Sequence, residues 1–219
     1  NYFSILKTVA HGKTTFNEIV QHTGIPKNSV NKYLLSLQQL HLLQKKLPVT
    51  AHEKSKQGRY VITDHYFDFW FRFIFPNETF LEQNYEQTVH DLIWPKIDEY
   101  VSFPFEQVCR EIVLSDQPFY AKIGSWWYQH HEIDIVALNE QKNMILFGEC
   151  KWQKKKMDTS VYERLLEKKE SVRWKNTCRK EQIVLFSKSG FTVGLEKIAE
   201  REGIIIYDLK KIKHILDKK

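Results

Sequence analysis

His131-Glu132-Ile133-Asp134-Ile135-Val136-Ala137-Leu138 and Ile145-Leu146-Phe147-Gly148-Glu149-Cys150-Lys151-Trp152 are two apolar runs, each with an acid where a buried strand carries an aliphatic residue. Side chains alternate along a strand with period two. Glu149 and Lys151 therefore share one face and Cys150 takes the other. Asp134, from a neighbouring strand, is expected to complete a small acidic site beside the Lys151 ammonium. Hard oxygen ligands suit a divalent cation, and an ammonium suits a phosphodiester or the water that attacks it.

The pattern around these runs alternates strands with helices, which predicts a mixed α/β sheet. A helix begins at about Phe103 and buries Phe105, Val108, Cys109, Ile112 and Val113, with Glu106 at the edge of that face. Tyr120–Tyr128 and Glu132–Leu138 form a hairpin, and Met144–Trp152 is the central strand. A basic helix over Thr159–Lys175 follows, its start near the acids, with Lys154, Lys155 and Lys156 in the preceding loop placed to approach a nucleic-acid backbone. Gln182–Phe186 and Ile204–Tyr207 are later strands. This domain is set at residues 101–219.

Residues 1–63 read as a winged helix-turn-helix. Tyr2, Phe3, Ile5, Leu6 and Val9 have helical spacing. Thr14 or Thr15 caps a second short helix that ends at Gly24, and Pro26 opens a third. Leu42–Leu47 and Arg59–Thr63 bracket a polar segment as wing strands do. On the third helix Lys27, Asn28, Asn31 and Lys32 lie off the apolar stripe and are candidates for major-groove contact. Lys45, Lys46, Lys54, Lys56 and Arg59 are candidates for phosphate contact. A winged helix used for protein contacts is the competing reading. Gly12-Lys13-Thr14-Thr15 imitates the end of a P-loop, but the glycine required five positions earlier is Lys7, so no nucleotide cradle is expected.

Residues 64–100 read as a helical connector. Asp64 caps an aromatic stretch, Tyr66 to Phe75, expected to be a buried, domain-joining core. Pro76 ends it, and Pro95 breaks the next helix.

Charge is distributed in blocks over the 219 residues. Residues 1–63 hold nine Lys/Arg and two acids; residues 64–150 hold five and fifteen; residues 151–180 hold eleven and four. Two basic blocks flanking an acidic one suggest two polyanion surfaces with carboxylates between them. The net charge of +6 is therefore not spread evenly. Cys109, Cys150 and Cys178 lie far apart without a paired Cys motif, which predicts reduced thiols, a cytoplasmic setting and no zinc site. No apolar run approaches membrane-spanning length. The chain opens at Asn1 in a helical pattern without Met, which predicts a preceding segment.

Glu106, Asp134 and Glu149-Cys150-Lys151, in that order, resemble the PD-(D/E)xK nuclease superfamily: an acid on the first helix, an Asp ending one strand and a Glu-x-Lys on the next. The chain as a whole resembles the C-terminal region of a family of archaeal and bacterial AAA-type ATPases, in which a winged helix precedes a nuclease-like domain of unknown function. Further resemblances are Tyr60-Val61-Ile62-Thr63-Asp64 leading into Phe69-Trp70-Phe71, the pair Phe105-Glu106, and Leu185-Phe186-Ser187-Lys188-Ser189-Gly190-Phe191. The proline of the nominal motif is absent before Asp134. The resemblance implies a restriction-endonuclease-like fold and DNA as partner, with an ATPase domain on the N-terminal side. Asp134 and Glu149 would ligate Mg²⁺ or Mn²⁺, Glu106 would be a third acid, and Lys151 would orient water or stabilise phosphate charge. The alternative is a non-catalytic DNA-binding or regulatory module of that ATPase.

Overall fold

Thr15 opens the second helix with a capping box: its hydroxyl accepts from the Glu18 N–H, and the Glu18 carboxylate accepts from the Thr15 N–H. Gly24 closes that helix at φ +67°, a conformation other residues adopt only under strain. These local signals set the first three helices, α1 (Tyr2–Ala10), α2 (Phe16–Thr23) and α3 (Lys27–Gln39). Ile5, Val9, Ile19, Val30, Leu34 and Leu37 bury between them. Strands β1 (Leu43–Lys46) and β2 (Arg59–Ile62) pair antiparallel as the wing, and the Tyr60 N–H donates to the Thr14 carbonyl.

The computed structural model describes residues 1–217 and divides the chain into two units. The first comprises Asn1–Leu47 and Ala51–Lys96; the second comprises Pro48–Thr50 and the chain from Ile97 onward. The loop between the wing strands is thus not wholly a wing: Pro48–Thr50 belongs to the second unit, where the Val49 N–H donates to the Ser125 carbonyl at 3.0 Å.

The first unit continues through α4 (His65–Phe69), a π-turn at Trp70–Ile74, a 3-10 turn at Phe75–Asn77, α5 (Glu78–Glu82) and α6 (Glu86–Ile93). Asp64 caps α4. The aromatic stretch is not the buried core expected of it. Phe71 and Phe73 are buried, but Tyr66 is 69% exposed and Phe67 39%. The π-turn and Pro76 interrupt the helix, so no single apolar face runs its length.

In the second unit α7 (Ile97–Asp116) starts earlier than the expected Phe103 and runs through Pro104. Proline forfeits a helix hydrogen bond. Burial of Phe105, Cys109, Ile112 and Val113 along one side offsets that loss. The start is tied down further, since Asp98 accepts from Trp152 Nε1 at 3.0 Å and from Lys188 Nζ at 2.9 Å.

Then come β3 (Lys122–Tyr128), β4 (His131–Asn139), β5 (Met144–Lys151), α8 (Thr159–Glu170), β6 (Lys180–Ser187), α9 (Val193–Glu202), β7 (Ile205–Asp208) and α10 (Leu209–Leu216). The five strands form one sheet in sequence order, antiparallel from β3 to β5 and parallel from β5 to β7. The mixed α/β sheet is as expected. One apolar layer joins Val161, Tyr162 and Leu165 of α8 with Ile133, Val136, Ile145 and Phe147. The other joins Phe105, Cys109, Ile112 and Val113 of α7 with Ile135, Ala137, Leu146 and Cys150. The basic helix stops at Glu170, short of the expected Lys175. The buried Arg179 guanidinium gathers the Val172, Trp174 and Lys169 carbonyls, and a helix through Lys175 would consume such groups internally.

Candidate functional site

The position of Asp134 depends on one irregularity. Gly124 pairs with Val136, but Trp126 pairs with Ile133, so Ser125 of β3 faces two residues of β4, Asp134 and Ile135. This β-bulge resets the alternation: Ile133 and Val136 bury in the α8-side layer, while Ile135 buries in the α7-side layer. A regular strand would commit Asp134 to one face. At the bulge its carboxylate turns along the sheet, and Oδ2 accepts from the Cys150 N–H at 2.8 Å. Pairing of β4 with β5 extends only to Ile135 opposite Gly148, so the carboxylate takes over where the ladder stops.

Glu149 and Lys151 come from β5 on the α8 side. Lys151 Nζ donates to Glu149 Oε1 at 2.6 Å. Lys168, from the last turn of α8, spans both Glu149 oxygens at 3.1 Å. Glu149 is 4% exposed, so these two ammoniums are its means of carrying charge in a buried place. Gly148 has no side chain for a steric reason. A Cβ there would lie 2.8 Å from Val184 Cγ1 and 2.9 Å from Ile135 Cβ, the β4 residue that pairs with Gly148 beside the bulge.

Glu106 enters from α7, on the other side of the sheet. Its Oε2 lies 3.5 Å from Arg110 Nη1, and the same nitrogen donates to the Asp134 carbonyl at 2.9 Å. Arg110 therefore satisfies a backbone oxygen at the bulge and fixes the strand there.

Electrostatics join the three acids into one system. Burial and the Asp134 charge push Glu106 up to about 8, against the pull of Arg110. Burial and the Glu149 charge push Asp134 up to about 6, against Lys151 and the Cys150 N–H. Burial draws Lys151 down, but Glu149 and Asp134 more than offset it and leave the ammonium raised. Beneath them, burial and a hydrogen bond with Cys109 raise the Cys150 thiol.

Asp134 is thus linked electrostatically to Glu106 on the α7 side and to Glu149, with Lys151 on it, on the α8 side. Among the described residues no three His, Cys, Asp or Glu side chains form a ready-made cation cage. The donors still suit Mg²⁺ or Mn²⁺, because such ions are commonly held by one or two carboxylates, with waters and substrate phosphate completing the shell. Asp134 and Glu149 would supply the two carboxylates, and a cation would relieve the repulsion by which Glu149 raises Asp134.

Arg110 and Lys168 were not anticipated as site residues, although both left signals. Glu106 and Arg110 are an i, i+4 pair on a helix. Lys168 continues the buried stripe of Val161 and Leu165, where an apolar residue is the norm. The helix start was expected near the acids, yet the contact comes from Lys168 near its end. Lys154, Lys155 and Lys156 are exposed; Lys155 pairs with Asp158 at 3.2 Å, and Lys154 lies near Asp98.

In the first unit Lys27, Asn28, Asn31 and Lys32 are exposed on α3, opposite buried Val30, Leu34 and Leu37. Lys45, Lys54 and Lys56 are exposed, and Lys46 and Arg59 are half-buried.

Comparison with known proteins gives two family matches. A model of the IclR helix-turn-helix domain matches residues 1–46, and one described as Archaea bacterial proteins of unknown function matches residues 70–169. The chain is a helix-turn-helix unit followed by a mixed α/β unit. An uncharacterized protein of Methanocaldococcus jannaschii is 36% identical over 160 residues, which covers 69% of this chain and 36% of that protein. The chain therefore spans about a third of that relative's length. A repair endonuclease from Pyrococcus abyssi is similar over 48% of this chain and 46% of its own, at 20% identity and a TM-score of 0.32. A likeness that slight is no argument for shared chemistry. Among the described residues no helix is long and apolar enough to cross a membrane.

Proposed function

We propose that the chain binds DNA and hydrolyses its phosphodiester bonds with Mg²⁺ or Mn²⁺, as the C-terminal module of an AAA-type ATPase. The observation that carries the reading is Asp134 at the β4 bulge, electrostatically joined to Glu106 and Glu149, with Lys151 on Glu149. The exposed polar face of α3 and the IclR helix-turn-helix match support DNA contact. The length of the jannaschii relative beyond the matched region leaves room for an ATPase domain in such a protein.

In this reading Asp134 and Glu149 hold the cation, and the Cys150 N–H and Lys151 keep their carboxylates oriented. When bound, the cation supplies Lewis-acid polarisation of the phosphate and lowers the pKa of water. Lys151 orients the attacking water and meets charge growing on the phosphate. Glu106, which burial and the Asp134 charge favour in its protonated form, is placed to give up a proton and take it back beside Asp134, while Arg110 holds the bulge.

The test is incubation of plasmid and branched DNA with the protein and Mn²⁺ or Mg²⁺. Wild type is expected to cleave. Lys151→Ala is expected to bind the cation without cleaving, and Asp134→Asn to lose cation affinity and cleavage together. Wild type that cuts none of these substrates with either metal rejects the reading.

One observation favours the non-catalytic alternative: with two ammoniums on Glu149 the cluster is charge-balanced without a cation. A purely structural pair predicts no cleavage and a loss of about 3–5 kcal/mol of stability in Lys151→Ala, as a buried charge loses its partner.

A further inference from the structure

The two lysines on Glu149 are not equivalent. Lys151 engages Oε1 alone, at 2.6 Å, whereas Lys168 spans Oε1 and Oε2, both at 3.1 Å, and is the ammonium on Oε2. Lys168 sits on a different element from the acids, in the last turn of α8. Its side chain is a quarter exposed and ends a flexible stem. Withdrawing it uncovers one whole carboxylate oxygen while Lys151 stays in place.

Charge sets the condition for that withdrawal. The ammoniums of Lys151 and Lys168 both pair with Glu149, and the Arg110 guanidinium pairs with Glu106. A divalent cation arriving alone would meet a Glu149 already paired with two ammoniums, and Lys168 would have no anion to move to. A phosphodiester supplies one. We propose that Lys168 is the counter-ion of Glu149 in the metal-free protein and transfers to the phosphate as a cation takes the carboxylate, so that cation and phosphodiester enter as a pair. This rests on the nuclease reading above, and it adds a residue and an order of assembly to it.

The experiment measures Mn²⁺ binding by electron paramagnetic resonance, with and without a short duplex oligonucleotide. An oligonucleotide-only blank and Glu149→Gln serve as controls. Wild type is expected to bind Mn²⁺ weakly alone and about tenfold or more tightly with the duplex, a coupling of ~1.4 kcal/mol. Lys168→Met is expected to bind Mn²⁺ alone about tenfold tighter than wild type and to lose most of the enhancement by duplex, each decade again being ~1.4 kcal/mol. Lys168→Arg, which keeps the charge, is expected to restore the wild-type pattern. If Lys168→Met does not fold, the wild-type arm decides. Wild type that binds Mn²⁺ equally with and without duplex overturns the proposal and leaves the nuclease reading standing. No Mn²⁺ binding at Glu149 under either condition overturns both.

Discussion

Glu106 carries the most testable electrostatics of the molecule. Its carboxyl is raised from 4.5 to about 8 by burial and by Asp134. The folded protein therefore takes up a proton that the unfolded chain releases between these values. That stabilising contribution is fully present below pH 4.5 and is lost as pH rises through about 8. Asp134 acts in the same sense between 3.8 and about 6. Metal-free protein is thus expected to lose thermal stability from weakly acidic to weakly alkaline pH, and Glu106→Gln to flatten the alkaline part of that slope. Mn²⁺ needs the ionised carboxylates, so its stabilising effect is expected to grow over the same range. Melting curves across pH, with and without Mn²⁺, check both. A slope unchanged in Glu106→Gln means that another group sets it.

At the scale of elements, the β4 bulge and its two supports determine the site. Gly148→Ala places a methyl group within 3 Å of Val184 and Ile135. It is expected to cost about 1–3 kcal/mol by overpacking and to shift Glu149, so cation affinity falls along with stability. Arg110→Met leaves the Asp134 carbonyl and Glu106 without their guanidinium. Cation affinity is expected to fall in this variant too, while Arg110→Lys recovers part of it. A Gly148→Ala protein that melts like wild type and binds Mn²⁺ equally well would show that Val184 and Ile135 do not confine Gly148. Elsewhere the elements behave locally: Thr15→Ala removes the capping box of α2 and is expected to cost about 0.5–2 kcal/mol by thermal or urea unfolding.

For the molecule as a whole, the two units are expected to contribute separately to DNA binding. Lys27 and Lys32 are exposed on α3 in a strongly basic block. Each lysine that meets a phosphate adds about −0.9 to the slope of log affinity against log salt. Lys27→Ala with Lys32→Ala is expected to flatten that slope by about two such increments. Asp134→Asn is expected to leave it unchanged in buffer without divalent cations. Fluorescence anisotropy at several salt concentrations measures both. Binding indifferent to salt would exclude a phosphate-contacting surface on the first unit.

Local patterns in the sequence determined much of this protein. The cap at Thr15, the turn at Gly24 and the stripe of Val30, Leu34 and Leu37 define the helix-turn-helix without reference to anything distant. Period-two burial placed Glu149 and Lys151 on one strand face, because alternation is a property of the backbone. Other features needed the tertiary structure. The bulge at Asp134 is a mismatch between two strands, and nothing in β4 alone reveals it. Lys168 reaches the Glu149 carboxylate, and Arg110 the Asp134 carbonyl, from helices far from them in sequence, through contacts that exist only once α7 and α8 pack on opposite faces of the sheet. The aromatic stretch after Asp64 has the composition of a core, but a π-turn and the packing around it decide which rings bury. Hydrogen bonding and burial along one element act over a few residues and can be read from its pattern. Register between strands and the pairing of buried charges depend on which surfaces meet, which only the folded chain fixes.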